Sequence, residues 1–195
     1  MTDFPSLKNH FLIAMPDLQD PTFYQSVTYI IEHDEEGAMG MVINHPLDFE
    51  FDELFVHLDI PFHKPQTLES HNAYLGKQKV ISGGPVQTER GFIIHSPKGK
   101  WESTMNIDDD ISVTTSQDIL TAISKNEGPT DVEIILGYSG WDAGQLDREI
   151  LENSWLSVKA TPEIMFHTPH KERWKAAAKL IGIDISQLST GSGHG

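Results

Sequence analysis

The stretch SVTYIIEHDEEGAMGMVIN, residues 26–44, decides the fold. Two runs rich in apolar and β-branched residues, SVTYIIE and AMGMVIN, are joined by HDEEG, a polar connection closed by a glycine. A connection of that length between strand-like runs predicts a β-hairpin, and a hairpin makes its two strands antiparallel.

Runs of the same kind recur outward from it: FLIA at 11–14, KVISG at 79–83, GFIIH at 91–95, ISVTT at 111–115, DVEIILG at 131–137 and WLSVKA at 155–160. Helical spacing is confined to short segments. Ser116 is the expected N-cap of QDILTAISKN, whose Ile119, Leu120 and Ile123 share one face and which stops before Gly128-Pro129. In HKERWKAAAKLIG, Trp174, Ala177, Ala178 and Ile181 fall on one face, with Gly182 as the stop. FDELFVHL aligns Phe51, Leu54, Phe55 and Leu58, and QLDREILEN aligns Leu146, Ile150 and Asn153. Helices and strands interleave without a steady βαβ alternation, which excludes a doubly wound sheet and predicts an α+β chain with a mixed, mainly antiparallel sheet. Residues 1–188 are expected to form a single compact domain, IPFHKPQTLESHNAY at 60–74 a surface loop, and 189–195 a flexible Ser/Gly tail.

Twenty-nine acidic residues against 14 basic ones give a formal net charge of -15. Such an average surface repels phosphate polymers, so direct nucleic-acid binding is not expected. The chain has no cysteine, which removes disulfides, thiolate metal sites and cysteine nucleophiles. The amino terminus carries Asp3 and no basic flank, unlike a signal peptide, and no run approaches the roughly 20 apolar residues that span a bilayer. A cytoplasmic protein without a membrane partner is expected.

The segment GYSGWDAGQLDREI, residues 137–150, raises a question of chemistry. A P-loop needs Lys and Ser/Thr after its last glycine, whereas Gly144 is followed by Gln145 and Leu146. The spacing of Gly137, Gly140 and Gly144 also misses the dinucleotide fingerprint. Gly137-Tyr138-Ser139 begins a nucleophile elbow, with His167 downstream, but Trp141 stands where the second glycine belongs. The expectation is a tight corner, with Trp141 capping the core and glycine supplying backbone freedom. In VISGGPVQTERGFIIH, residues 80–95, Gly83-Gly84-Pro85 and Arg90 offer either an anion cradle or two turns. Asp17 and Asp20 read as turn formers before acid/base candidates. The ten histidines lack H-E-x-x-H spacing; His167 and His170 flank a proline, and no metal or cofactor is expected.

Taken together, LIAMPDLQDPTF, the 26–44 stretch, SGGPVQTERGFIIH, TTSQDIL, LGYSGWDAGQLDREILENSWL and RWKAAAKLIGID resemble the AlgH/YqgE family of bacterial proteins over almost the whole chain. The resemblance implies a strongly curved, partly barrel-like sheet flanked by helices. It carries over no catalytic residue; the family name derives from a proposed role in transcriptional control of alginate synthesis. Family members often have arginine where His45 stands here. The positions it suggests for a shared binding surface are Asp17, Asp20, Asn44, Gly83, Gly84, Pro85, Arg90, Gly140, Trp141 and Gln145. The expected function is a non-catalytic regulatory or interaction protein binding a small ligand or protein partner, with a transcriptional regulator and a serine hydrolase using Ser139 as alternatives.

Overall fold

The computed structural model describes residues 5–62, 75–97 and 99–188. Its strands are β1 (His10–Ala14), β2 (Val27–Asp34), β3 (Gly37–Val42), β4 (Pro46–Glu50), β5 (Lys79–Ser82), β6 (Val86–Ser96), β7 (Thr104–Asn106), β8 (Ser112–Thr114), β9 (Asp131–Asp142) and β10 (Trp155–Lys159). The α-helices are α1 (Phe51–His57), α2 (Asp118–Ser124), α3 (Gln145–Leu151), α4 (Arg173–Lys179) and α5 (Ile185–Leu188), with a π-turn at Glu163–His167 and a 3-10 turn at His170–Glu172. The chain is α+β, and every pairing with a described register is antiparallel. By internal packing it divides into two compact units that interleave in sequence.

The first unit comprises Met1–His45, Ser82–Thr88 and Gly137–Gly195. Its strands run in the order β10-β1-β2-β3-β9. The expected hairpin is present, from Thr28 opposite Val42 to Asp34 opposite Gly37, with a bulge between Ile30 and Glu32. Its turn is tighter than HDEEG suggested, because pairing continues through His33 and Asp34 and the Asp34 carboxylate accepts the Glu36 N–H at 2.8 Å. Strand β1 and the Val27–Ile31 part of β2 are buried on both faces, which is why FLIA and VTYII read as unbroken apolar runs instead of alternating ones. Helix α4 packs on β1 and β2, and Trp174 Nε1 donates to the Ala14 carbonyl at 2.8 Å. On the other face Leu12, Ala14, Ile30, Ala38, Trp141, Leu146 and Trp155 form a core cluster, with Leu7, Leu18, Phe23 and Ile150 against it.

Trp174, Ala177 and Ala178 are buried as predicted, but Ile181 is 39 % exposed because α4 ends at Lys179. The stop is the expected glycine. Gly182 has φ +75°, its N–H bonds Lys179 and the Ile183 N–H bonds Ala178, a Schellman closure that L side chains adopt poorly.

The second unit comprises Pro46–Ile81 and Glu89–Leu136. Here β6, β8 and β7 are successive neighbours and β4 pairs β5. Its core joins Phe51 and Phe55 of α1, Ile119, Leu120 and Ile123 of α2, and Val80, Ile93, Val132 and Ile134 of the strands. Helix α1 starts with a capping box in which the Glu50 N–H donates to Glu53 at 2.7 Å. Ser116 is not the N-cap of α2: the helix begins at Asp118, and the Ser116 hydroxyl donates to the Asp118 carboxylate. That bond, first among the causes, holds the Asp118 carboxyl below its ordinary range. The expected loop at 60–74 lies mostly outside the described residues; at its start, residues 60–62 have no regular structure, Pro61 is exposed, and the Phe62 ring rests tilted against Phe55 with centroids 5.0 Å apart. The expected tail at 189–195 also lies outside them.

Candidate functional site

Antiparallel register sorts the candidate positions of the first unit to two ends of its strands. Strand β1 finishes, β2 begins and β3 finishes at one end. Asp17, Asp20, Asn44 and Gly83 to Pro85 belong there, and each described contact shapes backbone. The Asp20 carboxylate accepts the Thr22 N–H at 2.8 Å, and its carbonyl accepts those of Phe23 and Tyr24, a self-closed turn. Asn44 accepts the Val27 N–H at 2.8 Å and donates to the Gln25 carbonyl at 2.9 Å, tying the start of β2 to the end of β3. Asp17 and Pro85 are exposed.

The turn at Gly83-Gly84 meets Gly137, which lies inside β9 and not at the tight corner expected from the sequence, because the strand continues to Asp142. The Gly83 carbonyl accepts both the Val42 N–H at 2.9 Å and the Ser139 hydroxyl at 3.2 Å. A Cβ on Gly84, at φ +153°, would stand 2.3 Å from Ser139 Oγ and from the Tyr138 carbonyl oxygen. A Cβ on Gly137, at φ +77°, would stand 2.7 Å from the Gly84 oxygen. Backbone therefore approaches backbone so closely that only glycine fits. Ser139 is 1 % exposed and its hydrogen goes to a carbonyl, not to an imidazole. His167 instead faces Glu163 at 3.1 Å. This is no poised nucleophile.

Gly140 and Trp141 register toward the start of β3, opposite Met39 and Ala38. There Trp141 and Gln145 meet residues the sequence did not single out, among them Trp155, which pairs with Ala14 at the finish of β1. Trp141 is 6 % exposed and donates through Nε1 to Glu149 Oε2 at 2.8 Å; Trp155 donates to the same oxygen at 2.9 Å. Gln145 donates to Glu149 Oε1 at 3.2 Å and accepts the Asp142 N–H at 3.0 Å. Phe23 closes the ring cluster at 5.2 Å from Trp155 and 6.0 Å from Trp141. Glu149 is thus the polar hub of an aromatic corner that fastens α3 to β9 and β10. The signal for it was present in principle: buried indoles need acceptors, and Glu149 lies one helical turn after Gln145. Beside this end, Glu32, Asp34, Glu36, Gly37, Ala38, Met39 and Trp141 line a recess of about 200 Å³. Gly140 is exposed in β9, opposite Met39.

Arg90 lies in the second unit, with its guanidinium 5.0 Å above the Phe92 ring, a cation–π placement. In the same unit His95 is fully buried, with Nε2 2.8 Å from the Thr114 hydroxyl and its ring edge-on to Trp101. Burial lowers its affinity for a proton, and does the same for His45, whose Nε2 lies 3.2 Å from the Tyr24 carbonyl. Among the described residues no group of His, Asp and Glu is arranged to hold a metal ion, and no helix is long and apolar enough to cross a membrane.

The geometry defines a class: an antiparallel α+β protein whose glycine corners and buried polar side chains fix shape, with its serine hydroxyl closed off by backbone. The chain belongs to the AlgH-like family, whose model matches residues 11–186. It is 48 % identical over 194 residues to a UPF0301 protein from Thioalkalivibrio sulfidiphilus, covering 100 % of both chains. A UPF0301 protein from Vibrio parahaemolyticus is 48 % identical over 189 residues, covering 97 % of this chain and 99 % of that one. The solution structure of the AlgH protein from Pseudomonas aeruginosa matches with 42 % identity and a TM-score of 0.75, covering 100 % of this chain and 99 % of that one. The crystal structure of protein DIP2367 from Corynebacterium diphtheriae matches with a TM-score of 0.71 at 19 % identity, covering 96 % and 93 %, and shows the fold alone.

Proposed function

We propose that this protein acts in the cytoplasm by binding a small ligand or a protein partner, not by catalysing a reaction. The observation that carries this reading is Ser139, the best nucleophile candidate in the sequence, held at 1 % exposure with its hydroxyl donating to the Gly83 carbonyl. A hydroxyl so placed has no base to take its proton and no open side for a substrate. Asn44, Asp20, Trp141 and Gln145 support only the non-catalytic half of this reading, since the bonds they make hold the fold together. A net charge of -15 argues against a duplex-binding regulator and favours a neutral or basic partner.

Native mass spectrometry of protein taken from its own cells tests the proposal. A bound small molecule or a stoichiometric protein partner is expected. A bare chain, together with turnover in an ester or amide substrate panel, would overturn it.

A further inference from the structure

Residues Ser6 and Leu7 are fastened to the first unit through His33. The Ser6 hydroxyl donates to the His33 carbonyl at 2.8 Å, and the Lys8 N–H donates to the Ser6 oxygen at 3.2 Å. Between them the Leu7 N–H donates to His33 Nδ1 at 2.9 Å, while the Leu7 side chain packs against the cluster that contains Trp141 and Leu146. On the far side of the ring, Nε2 lies 3.4 Å from Asp147 Oδ1 of α3; the His33 side chain is 5 % exposed.

A backbone N–H only donates, so Nδ1 must offer a lone pair here. This assigns the neutral Nε2–H tautomer from the hydrogen bonds alone. A second proton would go to Nδ1, and two donors would then face each other across 2.9 Å. We propose that His33 is a proton-operated clip for residues Ser6 to Lys8: neutral, it holds Leu7 on the core; as an imidazolium, it releases that anchor. The Ser6 bond reaches a carbonyl and survives, so the segment loosens at Leu7 and is not thrown off whole.

Among the described residues the charges around the ring are few. Asp147 on α3 is the carboxylate within ion-pair distance and steadies the Nε2–H in either state. Lys8 follows on the clipped segment, and Glu32 and Asp34 flank His33 on β2. Its cross-strand neighbour Ala38 and the next in line, Trp141, bring no charge. Arg148 is next to Asp147 on α3, with Nη1 3.8 Å from where a Cβ on Gly144 would stand. The inference goes beyond the binding reading above and does not depend on it.

Hydrogen exchange of the Leu7 amide, followed by NMR from pH 7.5 to pH 5 and corrected for intrinsic exchange, tests the clip, with the His33 ring carbon shifts reporting its charge. Protection at Leu7 should fall at least tenfold in step with those shifts, while the Ile30 and Val42 amides hold. His33→Asn, whose side-chain oxygen can replace Nδ1 as acceptor and takes no proton in that range, should keep Leu7 protected throughout. Constant protection across the ring titration, or an equal fall in His33→Asn, would overturn the proposal. So would a ring that stays neutral until the core amides themselves lose protection.

Discussion

Gly84→Ala is the sharpest test of the idea that the glycine corners serve shape. The added Cβ would stand 2.3 Å from the Tyr138 carbonyl oxygen, 2.4 Å from its carbon and 2.3 Å from Ser139 Oγ, on a residue at φ +153°. Two of those atoms are backbone in β9, so no rotamer change relieves them. Backbone strain of this kind costs about 1–3 kcal/mol and overpacking a closed site another 1–3 kcal/mol, giving an expected loss of about 3 kcal/mol or more. Against a typical total of 5–15 kcal/mol that is a large fraction, and urea unfolding followed by tryptophan fluorescence would show a midpoint lower by about 1 M or more. Adding Ser139→Ala to Gly84→Ala should restore only part of the loss, because the Tyr138 contacts remain. A Gly84→Ala protein within 0.5 kcal/mol of the parent would refute the reasoning.

Ser139→Ala alone should cost about 1 kcal/mol in the same assay, since the Gly83 carbonyl keeps its bond from Val42 and no acceptor is orphaned. Glu149→Ala strands two indole N–H groups and should cost about 2–4 kcal/mol, with a shift in tryptophan emission; a neutral result would mean the indoles have other partners. His45 and His95 are both held below the ordinary imidazole range by burial, so the unfolded chain takes up their protons first as pH falls. Their contribution is full above the unfolded pKa, about 6.5, and is lost as pH falls toward the folded values. The urea midpoint should therefore drop below pH 6.5, and less so in His45→Gln; an equal drop in that variant would remove His45 from the account. Duplex DNA at low salt should show no retention on the immobilised protein, and salt-sensitive retention would contradict the charge argument.

Much of the first unit was legible because its strands are short apolar runs bounded by turn residues, and because Gly182 and the 26–44 stretch carry their local geometry in sequence. The strand Pro46–Glu50 was not, since a proline and two acids mask an edge-type segment, and Thr104–Asn106 is too short to show alternation. Arg173 illustrates the larger difficulty. It lies outside the face marked by Trp174, Ala177, Ala178 and Ile181, yet it is 2 % exposed and donates to the carbonyls of Thr168 and Ile43, the latter 130 residues away. The candidate site divides in the same way. Turn roles for Asp20 and Gly83-Gly84 follow from local chemistry, whereas Gly137 and Gly140 lie within β9 in place of the expected corner, and the Glu149 hub and the His33 clip depend on side chains brought together by strand register, which no local pattern encodes.

Incubating the folded protein with an activity-directed fluorophosphonate and measuring its intact mass probes the heart of this account most directly. The mass should stay unchanged, because the hydroxyl at position 139 is enclosed and bonded to a carbonyl. A single adduct mapped to Ser139 and absent from Ser139→Ala would contradict it.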